Sequence, residues 1–187
     1  RNALSRLANL HFRAGEYSFA INQLERLTEI DPGNDTYRRR LSAVQLAAGR
    51  IENAQLDIEA IDVEEQTNGK LLALLGSAYL KQGDLAQGEK HLLRAHELQP
   101  DSLPIKIQLA LSQLRNGKFD EALSRLNSVR AAEPDHAVAN VLSILAFGAK
   151  QDNQAALALA DDMIERSPDS ALAYNVRGFL YESLGKN

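Results

Sequence analysis

The sequence predicts an all-α fold of five helical hairpins followed by one extra helix, and three observations carry that prediction. Glycine returns at an interval of 34 residues, at Gly15, Gly49, Gly83, Gly117 and Gly185, with Gln151 in the one place it misses. Proline holds a second column at Pro32, Pro100, Pro134 and Pro168, where Gln66 is the exception. A third column is small: Ala20, Ala54, Gly88, Ala122 and Ala156. Leu24, Ile58, Leu92, Leu126 and Ala160 follow these four residues on, and Leu27, Ile61, Ala95, Val129 and Met163 seven residues on. Spacings of four and seven keep side chains on one helix face, so each period holds a helical apolar stripe between a glycine turn and a proline stop.

The clearest period is the third, residues 69–102. Leu71, Leu72, Leu75 and Tyr79 form one helical stripe up to Gly83 and Asp84, and Leu85, Leu92 and Ala95 form a second that stops before Pro100. Gly83 suits the positive φ of a helix end, Asp84 is a good N-cap for the next helix, and Pro100 cannot continue a helix interior. Gly76 and Gly88 lie inside helices, where glycine costs about 1 kcal/mol relative to alanine, so both point to a close helix–helix approach.

The other periods follow with local departures. The repeats are read as 1–34, 35–68, 69–102, 103–136 and 137–170, with a half repeat at 171–187. His11 and Gln113 stand where the third repeat has Tyr79. The second repeat carries Ser42 and Gln45 on its first helix and lacks the proline, so its exit near Glu64 to Asn68 is expected to be longer or looser. In the fifth, Ser143 and Ile144 replace the large-then-small pair, while Gln151 and Asn153 blur the turn. Tyr174, Gly178, Tyr181 and Gly185 match a first helix without its second, so the chain is expected to be a piece of a longer array. Leu180 is then covered by the fifth repeat, and Tyr174 and Tyr181 are left uncovered. No linker or low-complexity stretch divides the chain, which is read as a single solenoid.

Leu75, Gly76, Tyr79, Gly88, Leu92, Ala95 and Pro100 occupy the signature positions of the tetratricopeptide repeat (TPR) family, and the whole chain resembles that family. The resemblance implies a right-handed α-α superhelix whose first helices line a concave groove. A narrower resemblance, carried by the run from Leu71 to Ser102, is to bacterial TPR lipoproteins of exosortase and exopolysaccharide systems. It implies a periplasmic or cell-envelope location and a part in assembling secretion or polysaccharide machinery.

Composition narrows the chemistry. The formal charge is -4 and no repeat is strongly basic, which weighs against nucleic acid as the partner. The chain has no cysteine, hence no disulfide and no thiol nucleophile. The longest apolar run, residues 137–149, contains Asn140 and Ser143 and is shorter than a membrane span, so it reads as a buried helix. No phosphate loop, dinucleotide fingerprint, zinc-protease or serine-hydrolase signature is present. His91 and His96 point about 140° apart on one helix and read as surface imidazoles, while His11 reads as a packed histidine. Neither adjacent pair, Glu64 with Glu65 or Asp161 with Asp162, shares a helix face. No enzyme activity, catalytic residue, metal or cofactor is expected.

The candidate site is therefore a surface. On the positions the TPR family uses for ligand contact, the N-terminal part of the groove offers Ser5, Arg6, Asn9, Phe12, Arg13, Arg39 and Arg40, then Lys70, Ser77 and Lys81. The C-terminal part offers Ile107, Gln108, Leu111, Leu114 and Arg115, then Val141, Leu142, Leu145 and Phe179. The N-terminal set holds cations and no carboxylate, whereas the acids of repeat two (Glu52, Asp57, Glu59, Asp62, Glu64, Glu65) fall mainly on its outer helix. An acidic protein or peptide segment suits that half, since arginine makes two parallel hydrogen bonds to a carboxylate. Arg38 to Arg40 read equally as an ordinary solvated helix face. Leu111, Leu142 and Leu145 read either as a seat for apolar side chains or as surface covered by neighbouring repeats. The family's carboxylate clamp is matched only at Asn9 and Lys70, with Ser5, Arg40 and Leu74 on its other positions, so its ligand is not carried over. The expected function is a protein-interaction scaffold. The alternative is a structural spacer or a segment that self-associates through exposed ends.

Overall fold

A computed structural model describes residues 1–61 and 69–185 of the chain. The described residues form eleven α-helices and no strand. They are α1 (Asn2–Arg13), α2 (Tyr17–Ile30), α3 (Asp35–Ala47), α4 (Ile51–Glu59), α5 (Gly69–Gln82), α6 (Leu85–Leu98), α7 (Leu103–Arg115), α8 (Phe119–Ala132), α9 (Ala137–Ala149), α10 (Asn153–Arg166) and α11 (Ala171–Ser183). This is an all-α stack of helical hairpins with one extra helix. The expected exit loop near Glu64 to Asn68, and Gln66 itself, lie outside the described residues, as do Asp62, Glu64 and Glu65.

Contacts divide the chain into two compact units, Arg1–Pro100 and Asp101–Asn187. In the first, α1 pairs with α2, α3 with α4 and α5 with α6, and α3 packs on both α2 and α5. In the second, α7 pairs with α8 and α9 with α10, α8 packs on α9, and α11 closes on α10.

The glycine column works through backbone geometry. Gly15, Gly49, Gly83, Gly117 and Gly185 all take positive φ, and so does Gln151, at 60°. The fifth turn therefore keeps the geometry of the others despite its blurred sequence. Asp84 caps α6 as expected, accepting from Gln87 N at 3.0 Å. Asp152 does the same for Ala155 N in the fifth repeat, also at 3.0 Å.

The small-residue pair in the third repeat marks the predicted close approach. A Cβ built on Gly76 would lie 2.8 Å from Leu92 Cγ and 2.9 Å from the Gly88 carbonyl oxygen. One on Gly88 would lie 2.5 Å from a Leu80 methyl. The apolar stripes behave as cores. Ala8, Ala20, Ile21, Leu24, Leu27, Leu41 and Val44 form one cluster, and Ile144, Ala156, Leu159, Ala160, Met163, Ala173 and Leu180 form another. Leu180 is buried against the fifth repeat, while Tyr174 and Tyr181 stay exposed at 45% and 38%. The Ala137–Ala149 run is a helix buried along one face, through Ala139, Asn140, Leu142, Ser143, Ile144 and Ala146, while Val138 and Leu145 are exposed, and Ser143 donates its hydroxyl to the Ala139 carbonyl at 2.8 Å.

Candidate functional site

Within unit 1, α1 and α3 place Ser5, Arg6, Asn9, Phe12 and Arg40 around one open pocket of about 450 Å³. Ala8, Leu24, Ala43 and Val44 complete it, and no carboxylate lines it. Ala8, Leu24 and Val44 are buried, so the floor is apolar and the rim is cationic. Arg40 Nη1 donates to Ser5 Oγ at 2.8 Å. That bond spans two repeats and holds the guanidinium at the rim. Arg6, Asn9, Arg13, Lys70 and Lys81 are exposed. Arg13 closes α1, and Lys70, Ser77 and Lys81 belong to α5. None of these four residues lines the pocket.

The three consecutive arginines have separate fates. Arg38 donates through Nε and Nη2 to the Pro32 carbonyl at 3.1 and 2.8 Å, and through Nη1 to the Ala60 carbonyl at 3.3 Å. It ties the exit turn of the first repeat to the end of α4. Arg39 is half-buried and donates to Thr36 Oγ1 at 3.3 Å. Of the three, only Arg40 reaches the pocket.

Unit 2 has a pocket of different character, about 600 Å³, between α9 and α11. Val141, Leu145 and Phe179 line it, with Ile144, Val176, Leu180 and Leu184 as further apolar walls and Asn153 and Asn175 as polar edges. Leu145 and Phe179 are exposed at 54% and 64%. Leu142 points elsewhere: it is 9% exposed, in a cluster with Ala110, Ala122, Leu126, Val129 and Ala139. Ile107 and Leu114 are half-buried against the same cluster, while Leu111 is 41% exposed on α7. Gln108 is half-buried and Arg115 exposed, both also on α7.

Two comparisons decide the family. A tetratricopeptide repeat model matches residues 5–62 and a second matches residues 79–145, together more than half of the chain. The chain belongs to the tetratricopeptide repeat family. Solved TPR-like structures are similar in fold. The crystal structure of YrrB is 24% identical with a TM-score of 0.72, over 94% of this chain and 90% of that one. MamA is 19% identical with a TM-score of 0.78, over 91% and 93%. A tetratricopeptide repeat protein from Parabacteroides merdae is 17% identical with a TM-score of 0.69, over 98% and 72%. A comparison with curated proteins gave no match.

Within these TPR hairpins, the column that holds Tyr79 pairs with residues of the hairpin's second helix or its cap, and the chemistry changes from repeat to repeat. Gln45 hydrogen-bonds Asp57. Tyr79 stacks on His91, with ring centroids 5.5 Å apart, and its hydroxyl donates to Gln55. Gln113 is fully buried, donating to Glu121 at 2.9 Å and accepting from Arg125 Nε at 3.1 Å. A buried amide is tolerated there because both its ends are satisfied. His11 is half-buried and stacks on Phe19, with Nδ1 2.6 Å from Glu16 Oε2. His91 is half-buried rather than a surface imidazole. Burial holds its pKa below the usual value, aided by the Lys90 charge, while Glu59 pulls the other way. Burial likewise pushes Asp57 above the ordinary carboxylate value, against the bond from Gln45 and the charge of Arg38.

Among the described residues no group of His, Asp and Glu is placed to hold a metal ion, and no helix is long and apolar enough to cross a membrane. Sequence reasoning missed the pocket floor in unit 1 and the asparagines and Leu184 of unit 2. Leu24 reads as core from its spacing, and nothing in a linear pattern says which core residues also face an opening.

Proposed function

We propose that this TPR chain is an interaction scaffold whose unit 1 pocket binds an acidic segment of a partner protein. The observation that carries it is the pocket itself: an apolar floor, Arg6 and Arg40 at the rim, and no opposing carboxylate. Arg40 is oriented by Ser5 through one nitrogen, and a guanidinium has five donors, so others remain for a carboxylate. In unit 2 the pocket around Leu145 and Phe179 suits apolar side chains of a bound segment. YrrB, a protein of similar fold, is described as having an unusual peptide-binding site, which accords with this reading.

Fluorescence anisotropy with labelled peptides of Glu and Leu, against Lys and Leu counterparts, tests it. The acidic peptide binds more tightly, and raising the salt weakens it. The Arg6→Ala/Arg40→Ala double variant loses at least about tenfold in affinity, equivalent to roughly 1.4 kcal/mol, with unchanged helicity. Equal binding of acidic and basic peptides would count against the reading.

The resemblance of residues 71–102 to envelope-associated arrays supports a finer proposal, a role in secretion or exopolysaccharide assembly at a bacterial cell envelope. Fractionation of source cells checks it, and recovery of the protein wholly in the cytoplasmic fraction would overturn it.

A further inference from the structure

We propose that a second copy of this chain docks on the unit 1 pocket, through the outer face of its α4. The proposal rests on the pocket being a binding site, as above. α4 buries Ile51, Ala54 and Ile58, which leaves Glu52, Leu56 and Glu59 together on the opposite face. Offsets of four and seven residues place these three within one narrow stripe. Leu56 is 66% exposed, more than any other large apolar side chain among the described residues. An apolar side chain so far into solvent, flanked a turn away on each side by a carboxylate, is the chemical complement of the pocket. Leu56 meets the floor of Ala8, Leu24 and Val44, and Glu52 and Glu59 meet Arg6 and Arg40 at the rim. The two glutamates stand about 10 Å apart along the helix axis, so the stripe presents its charges either side of the leucine.

Donor stripe and receiving pocket are different surfaces of one chain. Such a contact is heterologous, and each added copy offers a new stripe and a new pocket, so association is open-ended rather than closed at a dimer. Because the attraction is between exposed charges, salt weakens it.

Sedimentation of the full chain over a range of concentrations, at low and at high salt, tests the proposal with two variants of checked helicity. Arg6→Ala/Arg40→Ala removes the receiving charges, and Leu56→Lys, at an exposed position, turns the stripe against the pocket. Wild type is expected to gain mass with concentration at low salt and to return to monomer at high salt. Each variant alone stays monomeric at the same concentrations. Their equimolar mixture forms a one-to-one complex that grows no further, since one supplies only a stripe and the other only a pocket. A wild type monomeric throughout, or a Leu56→Lys chain that associates as wild type does, overturns the proposal. A labelled Glu–Leu peptide separates the two readings. If it binds wild type in an Arg6- and Arg40-dependent way while wild type stays monomeric, the pocket stands and self-docking falls. If it fails to bind as well, both fall.

Discussion

Gln151 takes a φ of 60° where five glycines of the same column take 64° to 90°. A side chain in the left-handed region costs about 1 kcal/mol, and glycine avoids that cost. Gln151→Gly is therefore expected to raise the thermal midpoint, by an amount equivalent to about 0.5–1 kcal/mol, as read by calorimetry. Asp57 shows a second effect carried by one residue. Burial raises its folded-state pKa above the usual 3.8, so the folded chain holds that proton more tightly than the unfolded one. Its contribution to stability is complete below pH 3.8 and is lost as pH rises through the folded-state value. At neutral pH the ionised, half-buried carboxylate is then a cost. Asp57→Asn, which keeps an acceptor for Gln45, is expected to raise the midpoint at pH 7 and to lose that gain below pH 3.8. A gain of equal size at both pH values would rule out the burial explanation.

At the scale of the element, the hairpin α5–α6 is set by the contact of two glycines. Replacing Gly76 by alanine improves helix propensity by roughly 1 kcal/mol. The new methyl, however, would sit 2.9 Å from the Gly88 carbonyl oxygen and 2.8 Å from Leu92 Cγ, a branch point on the facing helix. Overpacking of this kind costs about 1–3 kcal/mol, so Gly76→Ala should lower the urea midpoint. An increase would mean that the two helices separate without loss. Helix starts differ in the same way. Asp84 and Asp152 cap α6 and α10 with their side chains, while Glu16, Arg50 and Lys118 at the equivalent places make no such bond to α2, α4 and α8. α4 is also the shortest helix described, at nine residues, and it is the one that carries the exposed Glu52–Leu56–Glu59 stripe.

At the scale of the whole molecule, burial is distributed along the chain. Each cluster joins residues of consecutive helices, as expected where a repeat is stabilised by its neighbours rather than by one central core. Surface pockets consequently form where two first helices and an intervening second helix meet. In unit 1 such a pocket is cationic at the rim, and in unit 2 it is apolar. The Arg6 and Arg40 pocket is thus built by adjacent repeats, with residues from α1, α2 and α3.

Helix number, order and turns were legible in the sequence, because a 34-residue period with glycine, proline and small residues in phase reports local backbone requirements. Gly76 and Gly88 could be read the same way, since an interior glycine is costly unless something lies close. The TPR resemblance put Ser5, Arg6, Asn9, Phe12 and Arg40 on groove positions, but in one set with Arg13, Arg39, Lys70, Ser77 and Lys81, which do not line the pocket. Depth was not legible. Leu142 and Leu145 are three apart on α9, yet one is 9% exposed and the other 54%. Arg38, Arg39 and Arg40 are consecutive, yet one clips the turn at Pro32, one bonds along its own helix and one crosses to Ser5. Local pattern determines which way a side chain leaves its helix. What it meets there depends on atoms supplied by other hairpins, and only the tertiary structure decides that.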